Sequence, residues 1–270
     1  MDFTDTPEEA AFRVKARSFL AENAQPKAGG DRNLATGADK SGMLAASRPW
    51  QAKKAAAGFA GITMAKEYGG QGLSPIMEVI YRQEEAEFIA PRGVYEIGLG
   101  MCIPTMLAYA TEEQKQRYAG PALRGEEIWC QLFSEPAGGS DLAGLRTRAD
   151  RDGDGDDADW IINGQKIWTS GAQFSDYGIL VTRSDFDAPK HKGLTFFFLS
   201  MKSPGIEVRP IRQASGPANF NEVYFTDVRI PDSQRLGAIG EGWKVSLTTL
   251  MNERFAVGVA PPPDFEEVFD

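Results

Sequence analysis

Cysteine and histidine are scarce in this sequence. Only Cys102 and Cys130 occur among 270 residues, both in apolar surroundings, which argues against a secreted disulfide framework and for buried thiols in a reducing cytoplasm. His191 is the single histidine and stands in the turn Ala188-Pro189-Lys190-His191-Lys192-Gly193, where a solvated loop residue is expected rather than a catalytic base. With no cluster of His or Cys at short spacing, no metal site is expected. Long hydrophobic runs are also missing. The longest uncharged stretch, residues 97–110, contains Pro104 and two glycines and is too short to span a bilayer. The early acids Asp2, Asp5, Glu8 and Glu9 do not fit the basic start of a secretory signal. Nor is there a basic block. The 29 Lys+Arg are scattered among 38 Asp+Glu for a net charge of −9, which disfavours nucleic-acid binding because counterion release needs clustered cations.

What is present is a globular composition, 42% hydrophobic and 25% charged, in a chain long enough for one large or two modest domains. The first half reads as helices. Thr6-Pro7-Glu8-Glu9 supplies an N-cap, a proline in the first turn and a glutamate at the third position, ahead of Phe12, Ala16, Phe19 and Leu20 on one apolar face. Residues 23–47 read as a polar connection ending in a helix start at Ser47-Arg48-Pro49. Further starts stand at Ser74-Pro75 and at the capping box Thr111-Glu112-Glu113-Gln114, with a tight loop at Gly69-Gly70 and Gly72.

From residue 126 the pattern changes to short β-branched and aromatic runs at 128–133, 160–162, 178–182, 194–199, 206–211 and 223–228. Asn163-Gly164 reads as a hairpin turn, and the acidic stretch 150–159 as an exposed loop. A last helix begins near Gly240, with Trp243, Leu247, Leu250, Met251 and Phe255 on a broad apolar face, and stops at Pro261-Pro262-Pro263. Helices, then strands, then one helix is not the alternation of a parallel-sheet nucleotide fold. The glycine groups Gly138-Gly139 and Gly237…Gly240…Gly242 match neither phosphate-loop spacing.

Two segments carry chemistry. In Ser134-Glu135-Pro136-Ala137-Gly138-Gly139-Ser140-Asp141 a glycine turn lies between hydroxyls after a strand, and its N–H groups can face an anion or the polar edge of a flat heterocycle. In Gly164-Gln165-Lys166-Ile167-Trp168-Thr169-Ser170-Gly171 a strand would place Trp168 and Ser170 on one face, so that one stacks on an aromatic ligand and the other donates to it. Taken singly, Trp168 also reads as core and the hydroxyls as turn residues.

Together these segments resemble the acyl-CoA dehydrogenases. The likeness covers about residues 1–260 and also includes Lys66-Glu67-Tyr68-Gly69-Gly70-Gln71-Gly72-Leu73-Ser74-Pro75, Thr111-Glu112-Glu113-Gln114-Lys115 and Asn163-Gly164-Gln165-Lys166-Ile167-Trp168. The resemblance implies an α+β fold. An all-helical N-terminal domain (1–122) would precede an antiparallel β-barrel-like middle domain (123–234) and the first helix of a truncated C-terminal helical domain (235–270). It implies an FAD-dependent α,β-dehydrogenation of an acyl-CoA thioester in fatty-acid metabolism, electrons passing to an electron-transferring flavoprotein, in a homo- or hetero-oligomer. Carried over by residue, Gln131, Leu132, Phe133 and Ser134 would line the flavin pyrimidine edge. Gly139 and Ser140 would approach the cofactor phosphates and the acyl-CoA, Trp168 and Thr169 would pack at the ring, and Ser170 would bond flavin N5.

Abstracting an α-proton needs a carboxylate beside the thioester. The resemblance to isovaleryl- and long-chain acyl-CoA dehydrogenases implies that Asn252-Glu253-Arg254 supplies it, with Glu253 as base and Arg254 as the adjacent charge on the substrate side; the other reading is a surface glutamate on an amphipathic helix. Family chains continue into a helical bundle, so the ending at Asp270 implies either that a partner chain completes the site or that this is a non-catalytic remnant or scaffold subunit. A flavin oxidase or monooxygenase on the same fold is a third expectation.

Overall fold

The computed structural model describes residues 4–27, 40–91, 93–155, 157–214 and 216–257, with 40–43 and 255–257 described in backbone only. Helix α1 (Pro7–Asn23) starts as its sequence directs. Thr6 Oγ1 accepts the Glu9 N–H, the Glu9 carboxylate accepts the Thr6 N–H, and Pro7 sits in the first turn. Helix α2 (Lys40–Ala56) departs from expectation, for it begins seven residues before Ser47 and runs through Pro49. Tertiary contacts override the missing proline N–H: Trp50 is buried in the helical core and Gln51 Nε2 donates to Leu123 O at 2.7 Å.

A two-residue ladder of β1 (Gln25–Pro26) and β2 (Phe88–Ile89) brackets α3 (Pro75–Ala86), which packs on α1. Arg13 and Arg17 of α1 meet the buried Glu84 at 3.0 and 2.7 Å. The uncharged stretch 97–110 is a buried π turn, Gly98–Cys102, running into α4 (Ile103–Tyr109), and no helix among the described residues is long and apolar enough to cross a membrane. Helix α5 (Glu112–Leu123) follows from the Thr111–Gln114 capping box.

The seven strands that follow are β3 (Trp129–Leu132), β4 (Arg148–Arg151), β5 (Trp160–Ser170), β6 (Tyr177–Arg183), β7 (Leu194–Ser200), β8 (Ile206–Ile211) and β9 (Phe220–Ile230). They form one sheet ordered β3-β6-β4-β5-β9-β8, with β7 paired to β6. The sheet is mixed, which corrects the antiparallel expectation: β3 and β4 both run parallel to β6. The reason lies in the connection 133–147. It is occupied by the glycine turn and the 3-10 turn Leu142–Gly144, so β3 crosses over instead of folding back on β4. The acidic stretch is likewise shared, its first residues lying in β4 and the remainder forming the β4–β5 connection.

Asn163-Gly164 is not a hairpin turn. It lies inside the eleven-residue β5, at a register shift against β9. Gly164 takes φ 151, and a Cβ there would sit 2.7 Å from Thr147 Cα, while Asn163 exchanges hydrogen bonds with Asp227 across the bulge. The positive φ that suits a hairpin also suits this bulge, and the sequence pattern is shared by both.

Strands β6 and β7 separate two cores. Ile179, Val181, Phe196 and Phe198 face the core shared with α4 and α5, whereas Leu180, Phe197 and Leu199 face Ile162, Val223 and Phe225. Each such buried side chain contributes about 2 kcal/mol of burial. Helix α6 (Gly242–Val257) closes the first core with Val245, Ser246 and Thr249 buried, and of the face expected from the sequence Trp243 and Leu250 pack against that core. Leu247 and Met251 point outward, and two hydroxyl contacts of 2.9 Å, Thr105–Thr249 and Tyr109–Thr248, join α6 to α4. The Phe255 side chain and the triple proline lie outside the described residues.

Candidate functional site

The two chemistry-bearing segments meet at the end of β3. The Ile167 N–H donates to Ser134 O at 2.9 Å, and Lys166 Nζ donates to Phe133 O at 3.1 Å and to Glu135 Oε1 at 2.8 Å. Lys166 is completely buried. Glu135, 7% exposed, also accepts the backbone N–H groups of Arg146 and Thr147 at 2.6 and 2.8 Å. Burial would raise the Glu135 pKa, but the Lys166 charge, its hydrogen bond and the Thr147 and Arg146 bonds outweigh it and hold the carboxyl below its ordinary 4.5. Burial draws Lys166 down to about 8 against the pull of Glu135. Sequence reasoning assigned neither residue a role. The signal was available in β5, where Lys166 shares the even-numbered buried face of Trp160 and Ile162.

Above this ion pair, a second register shift between Lys166 and Thr169 turns Trp168 out of the sheet. Trp168 has φ 60, rare for a bulky residue, and is 56% exposed; Phe220 meets its edge at 6.1 Å. Such strain, of order 1–3 kcal/mol, persists only where the surroundings enforce it. Thr169 is buried and Ser170 half-buried, so Trp168 and Ser170 both lie off the buried side of the strand. Gly171 then takes φ 71 with nothing within 4 Å of where a Cβ would stand. Opposite, Gly139 and Ser140 are exposed, Gln131 and Ser134 are half-buried, and a Cβ on Gly139 would lie 3.6 Å from Ser134 Oγ.

An exposed indole beside open glycine backbone and hydroxyls at two strand ends suits a flat heterocycle with a polar edge, and Thr169 Oγ1 is buried without a hydrogen-bond partner. These residues fit a flavin. Three of the expected residues do not offer their side chains to it. Leu132 lies in the β core, Phe133 packs on Phe196 at 5.7 Å, and Thr169 is 2% exposed, which leaves their backbone as the available surface.

Glu253 is half-buried on α6, four residues past Thr249 and seven past Ser246, and so continues the helix's buried side. Arg254 is exposed. Among the described residues neither makes a hydrogen bond or ion pair. The start of α6 is fixed beside loop 184–193: Gly240 N–H donates to Thr195 Oγ1 at 3.2 Å, and the exposed His191 meets Trp243 at 4.7 Å. A shallow cleft in that loop, lined by Arg146, Arg183, Phe186 and Lys190, lies beside the Lys190–Asp141 pair of 2.8 Å and was not foreseen from sequence. Among the described residues no cluster of His, Cys, Asp and Glu could hold a metal ion.

Residues 6–126 match the N-terminal domain of acyl-CoA dehydrogenase and residues 130–228 its middle domain. The chain belongs to the acyl-CoA dehydrogenase family, whose members bind FAD. It is similar to the acyl-CoA dehydrogenase FadE34 of Mycobacterium tuberculosis, 46% identical over 188 residues, 70% of this chain and 26% of that protein. The solved steroid ACAD Tcur3481-Tcur3483 superposes with a TM-score of 0.78 at 31% identity, covering 96% of this chain and 64% of that one. The ChsE4-ChsE5 complex of Mycobacterium tuberculosis gives 0.75 at 32% identity, covering 93% and 61%. The chain spans between 26% and 65% of the length of the curated relatives it matches first.

Proposed function

We propose that this chain provides the flavin-facing part of an acyl-CoA dehydrogenase, removing hydrogen across the α,β bond of an acyl-CoA thioester. The observation that carries the reading is the exposed, strained Trp168 held beside Ser170 and joined through Lys166 and Ile167 to the Ser134–Ser140 turn. Trp168 stacks on the flavin, Ser170 donates toward N5, and the 131–134 backbone with Ser134 meets the pyrimidine edge. Gly139 and Ser140 lie along the phosphates and the acyl-CoA. When bound, the flavin accepts the hydride released from the substrate's β carbon.

Glu253 takes the α-proton onto its carboxylate, and the Arg254 charge attracts the anionic acyl-CoA. The half-buried position of Glu253, on the same side of α6 as Thr249, supports the first role. The electrons pass to an electron-transferring flavoprotein, and the working enzyme is an oligomer in which a second chain completes the site; the relative solved as a complex of two proteins supports that assembly. Two buried free cysteines suit a reducing, cytoplasmic setting. The test is anaerobic mixing of the flavin-loaded protein with acyl-CoA esters of differing chain and ring structure. Bleaching of the flavin band with at least one ester supports the proposal, and no bleaching with any ester, in the presence of the completing chain, rejects it.

A further inference from the structure

The geometry points to Asn221 as the positioning residue that holds the Trp168 bulge in its exposed, left-handed conformation. Asn221 stands on β9 opposite Thr169 and is completely buried. Its Nδ2 donates to Thr169 O at 2.8 Å and to Gln173 Oε1, so a single amide spans the turn from just after Trp168 to the 3-10 turn Ala172–Phe174. Gln173 in turn donates to Ala218 O at 3.4 Å, tying that turn to the approach of β9. On the far side of the bulge Lys166 is fixed to Phe133 and Glu135. Trp168 therefore lies between two buried anchors.

Two polar atoms at this anchor, Asn221 Oδ1 and Thr169 Oγ1, are buried without hydrogen-bond partners. An asparagine kept there despite that cost is explained by its two donated bonds, which an apolar residue of the same volume would lack. A φ of 60 at a tryptophan needs such over-determination, because the relaxed extended strand would return the indole to the sheet surface. Asn221 touches no ligand in this scheme and acts through Trp168 and Ser170. The inference rests on the flavin reading of those two residues, and it goes beyond that reading in naming what presents them.

The experiment compares the parent protein with Asn221→Leu, Gln173→Ala and, as a control in the same β domain, Val228→Ala. FAD affinity and hydrogen exchange of residues 166–171 are both measured. Asn221→Leu is expected to raise exchange at 167–170 while the 160–165 amides stay protected, and to weaken FAD binding about tenfold, the scale of one buried hydrogen bond. Gln173→Ala, at a half-buried position where the fold tolerates the change, is expected to shift both in the same direction by less. Val228→Ala is expected to lower thermal stability and leave FAD affinity unchanged. Unchanged exchange at 167–170 in both Asn221→Leu and Gln173→Ala, or an equal affinity loss in Val228→Ala, overturns the inference. If the parent protein fails to bind FAD, the flavin reading falls, and the exchange data still decide whether Asn221 holds the bulge.

Discussion

Lys166 and Glu135 show how much a single buried pair can decide. Removing one partner leaves a charge in a low-dielectric interior, so Lys166→Met is expected to destabilise the protein by about 3–5 kcal/mol in urea unfolding, whereas the double change Lys166→Met with Glu135→Gln recovers most of that loss. The pair also sets an acid limit. Because the folded pKa of Glu135 lies below its ordinary 4.5, its stabilisation is fully present above that value and is lost as pH falls through the folded value. A melting-temperature profile should show an acid step below pH 4.5 that is reduced in Glu135→Gln; identical profiles would contradict the assignment. Glu253 is the residue on which the chemistry turns. Glu253→Gln is expected to retain flavin yet lose its bleaching by acyl-CoA by 100-fold or more, on the order of a lost general base, and unchanged bleaching would remove it from the mechanism.

Among the elements, helices announced by capping chemistry were legible, and those held by distant contacts were not. Thr6-Pro7-Glu8-Glu9 and Thr111–Gln114 state their own termini in local hydrogen bonds. Helix α2 does not, since Pro49 reads locally as a start and only the burial of Trp50 carries the helix through it. The parallel pairing of β3 and β4 with β6 was illegible for the same reason, as strand direction depends on where a crossover lies in space. The site divides along this line. Motif residues such as Ser134, Gly139, Trp168 and Ser170 could be named from the resemblance, but the anchors Lys166 and Asn221 act through long-range bonds to backbone atoms that no local pattern specifies. Gly164→Ala tests the bulge reading of β5. A Cβ at φ 151 and 2.7 Å from Thr147 Cα should cost about 2–3 kcal/mol in unfolding free energy; a hairpin-type loop free to relax would lose much less.

Across the whole molecule, α4, the π turn and α6 pack on strands β3, β6 and β7 in one core, so the helix that carries the candidate base and the strand that leads into the Ser134 turn belong to one packed unit. Leu247 and Met251 stay exposed on α6, in a chain that spans at most about two thirds of the first curated relatives' length. The most direct test of the account is the visible absorption spectrum of the purified protein after incubation with FAD and desalting, run beside Trp168→Ala. The account predicts flavin absorbance carried by the parent protein and substantially lost in the variant. A colourless parent, or a variant as yellow as the parent, would contradict it.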